Sequence, residues 1–487
     1  MKKTGQYSFV VLFAALSTVT LLLGRARAEP SPVDPTWGEE GVAVANFATG
    51  DPTLDDQTNA LFLQPDGKVL VAGWADIWPG DFGTARFLPD GSLDPSFGSG
   101  GMVTTAFSNN PDNVDAAWSI TQRPDGGVYV AGESCDEDYI VCDWALAALK
   151  PDGAPDNSFG TKGLVTTAAG TDTVYAWPRR NILQADGKLV IGGVTFNEGE
   201  DTDIGLRRHN PDGSLDTSFG TNGIVIQDLE KTGNYVQDIL PYPGQKILVV
   251  GGFGTIEDDP FFYDDDLGFM ALFDKEGALD KSFGGGEGYV TWNYMDMPVV
   301  SKGGLLGSND AIYVVGEYED ACTLQRFNML GELDINFGDA GWVFINSADQ
   351  LDCWDIRETP DGKLAFDGGS FPQFETQPAS ARANRTGRNP VSRNMMQQVE
   401  VPEILIGRYN LDGTPDKTFG DNGLARFLVN EEGSGGFGLE VQPDGKLLTT
   451  ADVYNLEDEN LDMGVVRFIN QNNIQLFQLY APAVMSP

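Results

Sequence analysis

Seven segments of this 487-residue chain share the form D-x-[STN]-[FW]-G-x-x-G, and their spacing constrains the fold more than any other feature. They begin at Asp34, Asp94, Asp156, Asp216, Asp280, Asp334 and Asp416, at intervals of 60, 62, 60, 64, 54 and 82 residues. A second motif follows each start by about 30 residues, as in QPDGKVLVAG at Gln64 and QADGKLVIGG at Gln184. A third precedes the next start, as in RFLPDGSLD and RHNPDGSLD. A fixed period of this length signals an array of identical supersecondary units that bury their faces against one another.

Each unit holds four short runs rich in Val, Ile and aromatic residues. In the second unit they are VTTAF, AWSITQ, VYVAGE and WALAALK. Runs of this kind, bounded by Gly, Pro and Asp, read as strands. The P-D-G corner between the second and third runs has a turn chemistry of its own. Pro presets φ, Asp hydrogen-bonds its own backbone and Gly takes the left-handed position. In the D-x-S-F-G turn, Asp and Ser or Thr are expected to cap the backbone, and Phe (Trp37 in the first copy) to wedge between units. Four antiparallel strands cannot cover both of their faces alone, and radial stacking solves this. The expectation is an all-β, seven-bladed β-propeller with four-stranded antiparallel blades over residues 29–475. A linear solenoid is the competing architecture, but neither end carries a polar capping repeat.

Together, QPDGKVLVAG, RFLPDGSLD and the D-x-S-F-G-x-x-G turns resemble the delta-60 repeat family of bacterial exported proteins, a β-propeller-like group. The resemblance covers residues 34 to about 475. It implies architecture and no particular reaction. The fifth copy departs from the pattern most, having lost its P-D-G turn at 307–311.

The first 28 residues read as a secretory signal. Lys2 and Lys3 precede the apolar stretch Phe9–Leu23, and Ala26-Arg27-Ala28 forms an A-x-A site with cleavage expected after Ala28. The apolar stretch is too short to span a membrane comfortably, and no other segment is long and apolar enough. The chain is thus expected to be secreted, periplasmic or cell-surface. Its formal charge is −41; removing the four positive charges of the signal gives −41 − 4 = −45. Such a charge repels nucleic acid and anionic lipid, so neither is an expected partner. Export permits disulfides. Cys135 and Cys142 could close a small ring, and Cys322 and Cys353 remain, with their pairing open. Residues 370–402 interrupt the sixth copy, and 376–399 carry four Arg and no acid. This reads as a surface loop or a basic clamp for an anionic partner. Residues 476–487 form a tail.

Antiparallel connectivity places the first–second and third–fourth loops of the units on one face. Those loops are strongly acidic. Carboxylate oxygens are what Ca²⁺ prefers, which makes Asp258, Asp259, Asp264, Asp265 and Asp266 the metal candidates and calcium the one cofactor to consider. An acid also opens the fourth strand of each unit: Asp81, Asp143, Asp203, Asp266, Asp320, Glu403 and Asp462. A position repeated in every copy is expected to cap strands and not to bind ligand. Trp118, Trp177, Tyr235 and Trp354 lie near the starts of the second strands. Beside carboxylates they suit sugar rings, with packing between blades as the alternative. His209 is the only histidine and fills a slot otherwise held by Phe, Leu or Tyr, so it is a packing residue and no His-based triad can form. No catalytic residue is selected. The expected function is a monomeric binding or scaffold module for a protein or glycan partner. The alternative is a carbohydrate-active enzyme using paired carboxylates.

Overall fold

The computed structural model describes residues 31–470 except 48–53, 77–79, 111, 138–140, 169–172, 198–201, 230–232, 255–266, 296, 372–402, 431–433 and 456–459. The signal segment, the tail and nearly all of the basic insertion lie outside these residues.

Twenty-eight strands, from β1 (Val42–Ala45) to β28 (Asn460–Phe468), form seven four-stranded sheets. All pairings are antiparallel, as in a seven-bladed propeller. The innermost strands are β2 (Gln57–Leu63), β6 (Val114–Gln122), β10 (Thr173–Leu183), β14 (Asn234–Tyr242), β18 (Val300–Leu306), β22 (Gln350–Glu358) and β26 (Ser434–Val441). The second strand of each blade is buried along most of its length; every residue of β3 (Val69–Ala75) is buried. Among the described residues the only helical turn is a 3-10 turn at Gly284–Gly286, where the fifth D-x-S-F-G copy is one residue longer. No helix among them is long and apolar enough to cross a membrane.

The blades do not coincide with the sequence repeats. The first run of each unit is the outermost strand of the preceding blade; β5 (Met102–Thr105) pairs with β4 (Asp81–Phe87), not with β6. One outer strand is therefore missing at the end of the chain, and β1 supplies it by pairing with β28. Trp37, Phe47, Ala43 and Ala45 are buried there with Met463 and Val465 of the last blade and Val69 and Val71 of the first. The ring is closed by its own two ends.

The three sequence motifs converge on one clamp between blades. Asp94 Oδ1 accepts the Ser96 N–H at 3.0 Å and the Ser96 hydroxyl at 2.6 Å. Its Oδ2 takes Arg86 Nε at 2.8 Å and Lys68 Nζ at 3.0 Å. Arg86 also donates to the Pro151 carbonyl of the next blade at 2.6 Å and stacks 4.6 Å above Phe97. Asp216 with Arg208 and Lys188, and Asp34 with Arg467 and Lys446, repeat the arrangement. In the second blade Ala148 stands where the arginine would be, and Arg123 from the hairpin turn reaches Asp156 at 2.6 Å instead. The wedge residues Phe97, Phe159 and Phe219 are all at most 1% exposed, as the turn chemistry requires. In the fifth blade the lost P-D-G turn is still a tight hairpin, because Asp310 takes the left-handed conformation (φ 57°) that Gly holds elsewhere.

Cys135 and Cys142 are bonded across the second and third strands of blade two, and Cys322 and Cys353 join blade five to blade six.

These carboxyls divide into two groups with opposite pH behaviour. Burial alone would raise Asp34, but hydrogen bonds from Thr36 and Lys446 and the charge of Arg467 bring it to about 2. Asp156 (Ser158 and Arg123) and Asp280 (Lys246 and Ser282) are also held at about 2. Asp56 and Asp115, at the starts of inner strands, are raised by burial to about 7 and about 6, although each accepts a backbone N–H from the preceding loop, Phe47 and Phe107 respectively. A lowered carboxyl adds stability above its unfolded value, near 3.9, and loses it as pH falls below that value. A raised carboxyl removes stability above its folded pKa, and that loss is relieved as pH falls toward its unfolded value. Thermal unfolding followed by circular dichroism should therefore show its highest Tm between about pH 4 and 6. A Tm climbing steadily from pH 5 to 8 would contradict this assignment.

Candidate functional site

Every inner strand carries a β-bulge at the same place, and β10 has a second register shift between Thr173 and Tyr175. The register slips between Thr58 and Ala60, Ala117 and Ser119, Pro178 and Arg180, and Val236 and Asp238. It slips again between Ser301 and Gly303, Cys353 and Asp355, and Gly435 and Leu439. A bulge leaves one residue unpaired and re-aims its side chain. The seven residues so released are Asn59, Trp118, Arg179, Gln237, Lys302, Trp354 and Phe437. With Arg180 they line one opening in the central channel.

The bulge is written into the second motif. Its closing glycine faces the bulge, and a Cβ on Gly73 would lie 1.8 Å from the Gln57 carbonyl oxygen. On Gly368 it would lie 1.8 Å from that of Asp352, so no side chain fits at either position. The seventh blade carries Ala451 in the glycine's place, and there the bulge spreads over three residues, two of them glycine. The opening lies toward the face on which the inner strands begin, the face of the acidic connections.

The ring has two unlike arcs. Blades three to five contribute Arg179, Gln237 and Lys302. Arg179 donates to Gln237 Oε1 at 2.6 Å and lies 4.4 Å over Trp177 and 5.6 Å over Trp118. Lys302 Nζ lies 4.3 Å over Trp354 and 3.9 Å from Glu317. The other arc is mainly aromatic: Trp354 meets Phe437 edge-on at 5.4 Å, and Trp118 lies across Asn59 from it.

Arg180 forms a floor. From blade three it reaches Asp238 of blade four at 3.4 Å and Asp355 of blade six at 2.9 Å. Arg357 also donates to Asp355, which is fully buried. Asp238 accepts the Gly304 N–H of the next blade at 3.1 Å. Burial raises Asp238 to about 6 despite the charge of Arg180, and Glu440 to about 7 despite that of Arg357. Asp355 goes the other way: the charges of Arg357 and Arg180 outweigh its burial and lower it.

The four aromatic candidates separate into two pairs. Trp118 and Trp354 are bulge residues and line the opening, while Trp118, 5% exposed, also packs edge-on against Trp177 at 5.9 Å. Trp177 (3% exposed) and Tyr235 (1%) sit two residues earlier and pack between blades. Asn59, Arg179, Gln237, Lys302 and Phe437 escaped the sequence reading. Their signal is present: each lies five residues before the first residue of the hairpin turn, and this column differs in chemistry from copy to copy.

Among the described residues, the repeated acids other than Asp320 lie at the start of their blade's third strand, because the blade frame is offset from the repeat. They are also not one equivalent ring. Asp81, Asp143, Asp203, Glu403 and Asp462 match in register, but Asp320 falls in the turn before β20 (Ala321–Asn328). Asp258, Asp259, Asp264, Asp265 and Asp266 lie outside the described residues. Among those described, Glu133 with Cys135 and Cys142 is the one grouping of metal-type donors, and the disulfide engages both sulfurs. His209 is buried, with Nδ1 3.1 Å from the Gly213 carbonyl, and burial lowers its pKa, as befits a packing residue.

A domain of unknown function (DUF5122) beta-propeller family matches residues 64–97 and 184–219. No curated protein matches the chain in sequence. Similar solved structures include a catalytically inactive virginiamycin B lyase from Staphylococcus aureus with quinupristin (12% identity, 88% of this chain and 99% of that one, TM-score 0.46). A protein of unknown function from Dyadobacter fermentans (8%, 90% and 100%, 0.43) is another. So is an α-L-arabinanase from Penicillium chrysogenum complexed with arabinobiose (13%, 67% and 91%, 0.40).

Proposed function

We propose that this chain is an exported binding module whose ligand sits in the mouth of the central channel, on the bulge residues. One observation carries the reading. The copies share their turns, clamps and wedges, yet they differ at the single position that every blade turns into the channel. A position that served the blade would be uniform; one that serves a ligand need not be. Aromatic and cationic side chains at a concave, pre-formed site are the residue types that dominate binding energy. The signal-like N-terminus and the two disulfides support the exported part of the reading.

The test is a screen of glycans and small organic acids against the mature protein and against Trp354→Ala, read by ligand-observed NMR. A ligand of this site should bind the variant at least about tenfold more weakly, with little change in Tm. A ligand held equally by both proteins would place binding elsewhere.

One arrangement favours the enzyme reading. Asp238 and Asp355 share the Arg180 guanidinium and have pKa values pushed apart, which is the pattern of an acid and base pair. Both are at most 4% exposed and are already engaged by arginine and backbone N–H groups. The binding reading therefore has the better support. Release of reducing sugar by the wild type, abolished in Asp355→Asn, would reverse that preference.

A further inference from the structure

We propose that the channel mouth takes a small monoanion, a carboxylate borne on a flat ring, as in a uronate sugar or an aromatic acid. This rests on the binding reading above and names its ligand class. The chain carries 72 acidic against 31 basic residues, yet the eight residues lining the opening include three cations and no carboxylate. The lining is thus cationic, although Arg180 is paired with Asp238 and Asp355 and Lys302 lies 3.9 Å from Glu317. The cations are also held in place. Arg179 is fixed over Trp177 and bonded to Gln237, and Lys302 is fixed over Trp354, so little side-chain freedom remains to be lost on binding.

The division into arcs sets the shape of the ligand. Arg179 and Lys302, one blade apart on either side of Gln237, converge on an anionic group, which charge-assisted hydrogen bonds would hold. Trp354, whose ring carries the Lys302 ammonium at 4.3 Å, and Phe437 follow on the next two blades and offer apolar surface to the ring that bears it. The floor ends the site, because Arg180 crosses the channel to Asp238 and Asp355. The acidic connections on the same face would oppose a polyanion, which carries many charges past them, far more than a monoanion.

The experiment compares matched pairs by calorimetry: methyl glucuronate with its amide, and phenylacetate with phenylacetamide. At least one acid should bind with a Kd of about 1 mM or tighter and its amide at least about tenfold more weakly. The pair that shows the difference identifies the sugar or the aromatic source. Arg179→Gln and Lys302→Gln should each erase most of the acid-to-amide ratio, with Tm unchanged. Acid and amide binding equally, both weakened by Trp354→Ala, would overturn the anion proposal and leave the channel site standing. An acid preference that survives both charge substitutions would overturn it as well. If neither acid binds, the anion class falls, and the wider screen with Trp354→Ala decides the binding reading separately.

Discussion

Deleting residues 32–47 should open the ring and remove most of the stability of the protein. That segment carries β1 and buries Val33, Trp37, Ala43, Ala45 and Phe47. Three large apolar side chains account for roughly 5–9 kcal/mol of burial, comparable to the whole stability of an ordinary domain, about 5–15 kcal/mol. The deletion also strips β28 of its partner and exposes an unpaired strand edge, a template for intermolecular pairing. The expected product elutes as oligomers on size-exclusion chromatography and melts at least about 10 °C lower. A monomeric deletion variant with the wild-type Tm would show that β1 does not close the ring.

The largest effect of a single substitution is expected at the clamp. Asp94 is 3% exposed and receives two bonds from Ser96, one from Arg86 and one from Lys68. Asp94→Ala leaves the Arg86 guanidinium, itself nearly buried, without its carboxylate. Breaking a buried pair from one side costs about 3–5 kcal/mol, because the remaining charge stays desolvated. Asp94→Asn keeps an acceptor for the Ser96 N–H but not the charge, so it should fall between the wild type and Asp94→Ala. Denaturant unfolding of the three proteins measures this. Equal stability of Asp94→Ala and the wild type would mean that Lys68 and Arg86 find other partners at no cost.

Much of this was legible in the chain. The P-D-G corners and the D-x-S-F-G turns encode their conformations within four or five contiguous residues, so hairpins, wedges and the number of blades could be read directly. The aromatic candidates show where reading stops. Trp118 and Trp177 look alike in sequence, both near the start of an inner strand. One is the bulge residue itself and is turned to the channel, whereas the other precedes its strand's bulge residue by two positions and packs between blades. The acids at the third-strand starts looked like one ring of seven, and Asp320 leaves it because its hairpin is a residue out of phase.

Seven repeats, an all-β propeller and the turn chemistry rest on short-range spacing and are legible in the sequence, which allows the Cys135–Cys142 bridge without fixing it. Only the tertiary structure decided four further things. These are the offset between repeat and blade, the closure of β28 by β1, the bond between Cys322 and Cys353, and the meeting of seven unlike side chains in one channel. The disulfide and the channel join residues from different blades, the offset joins residues of different repeats, and the closure joins opposite ends of the chain. Such contacts depend on how the sheets close into a circle, and no local stretch of sequence carries that.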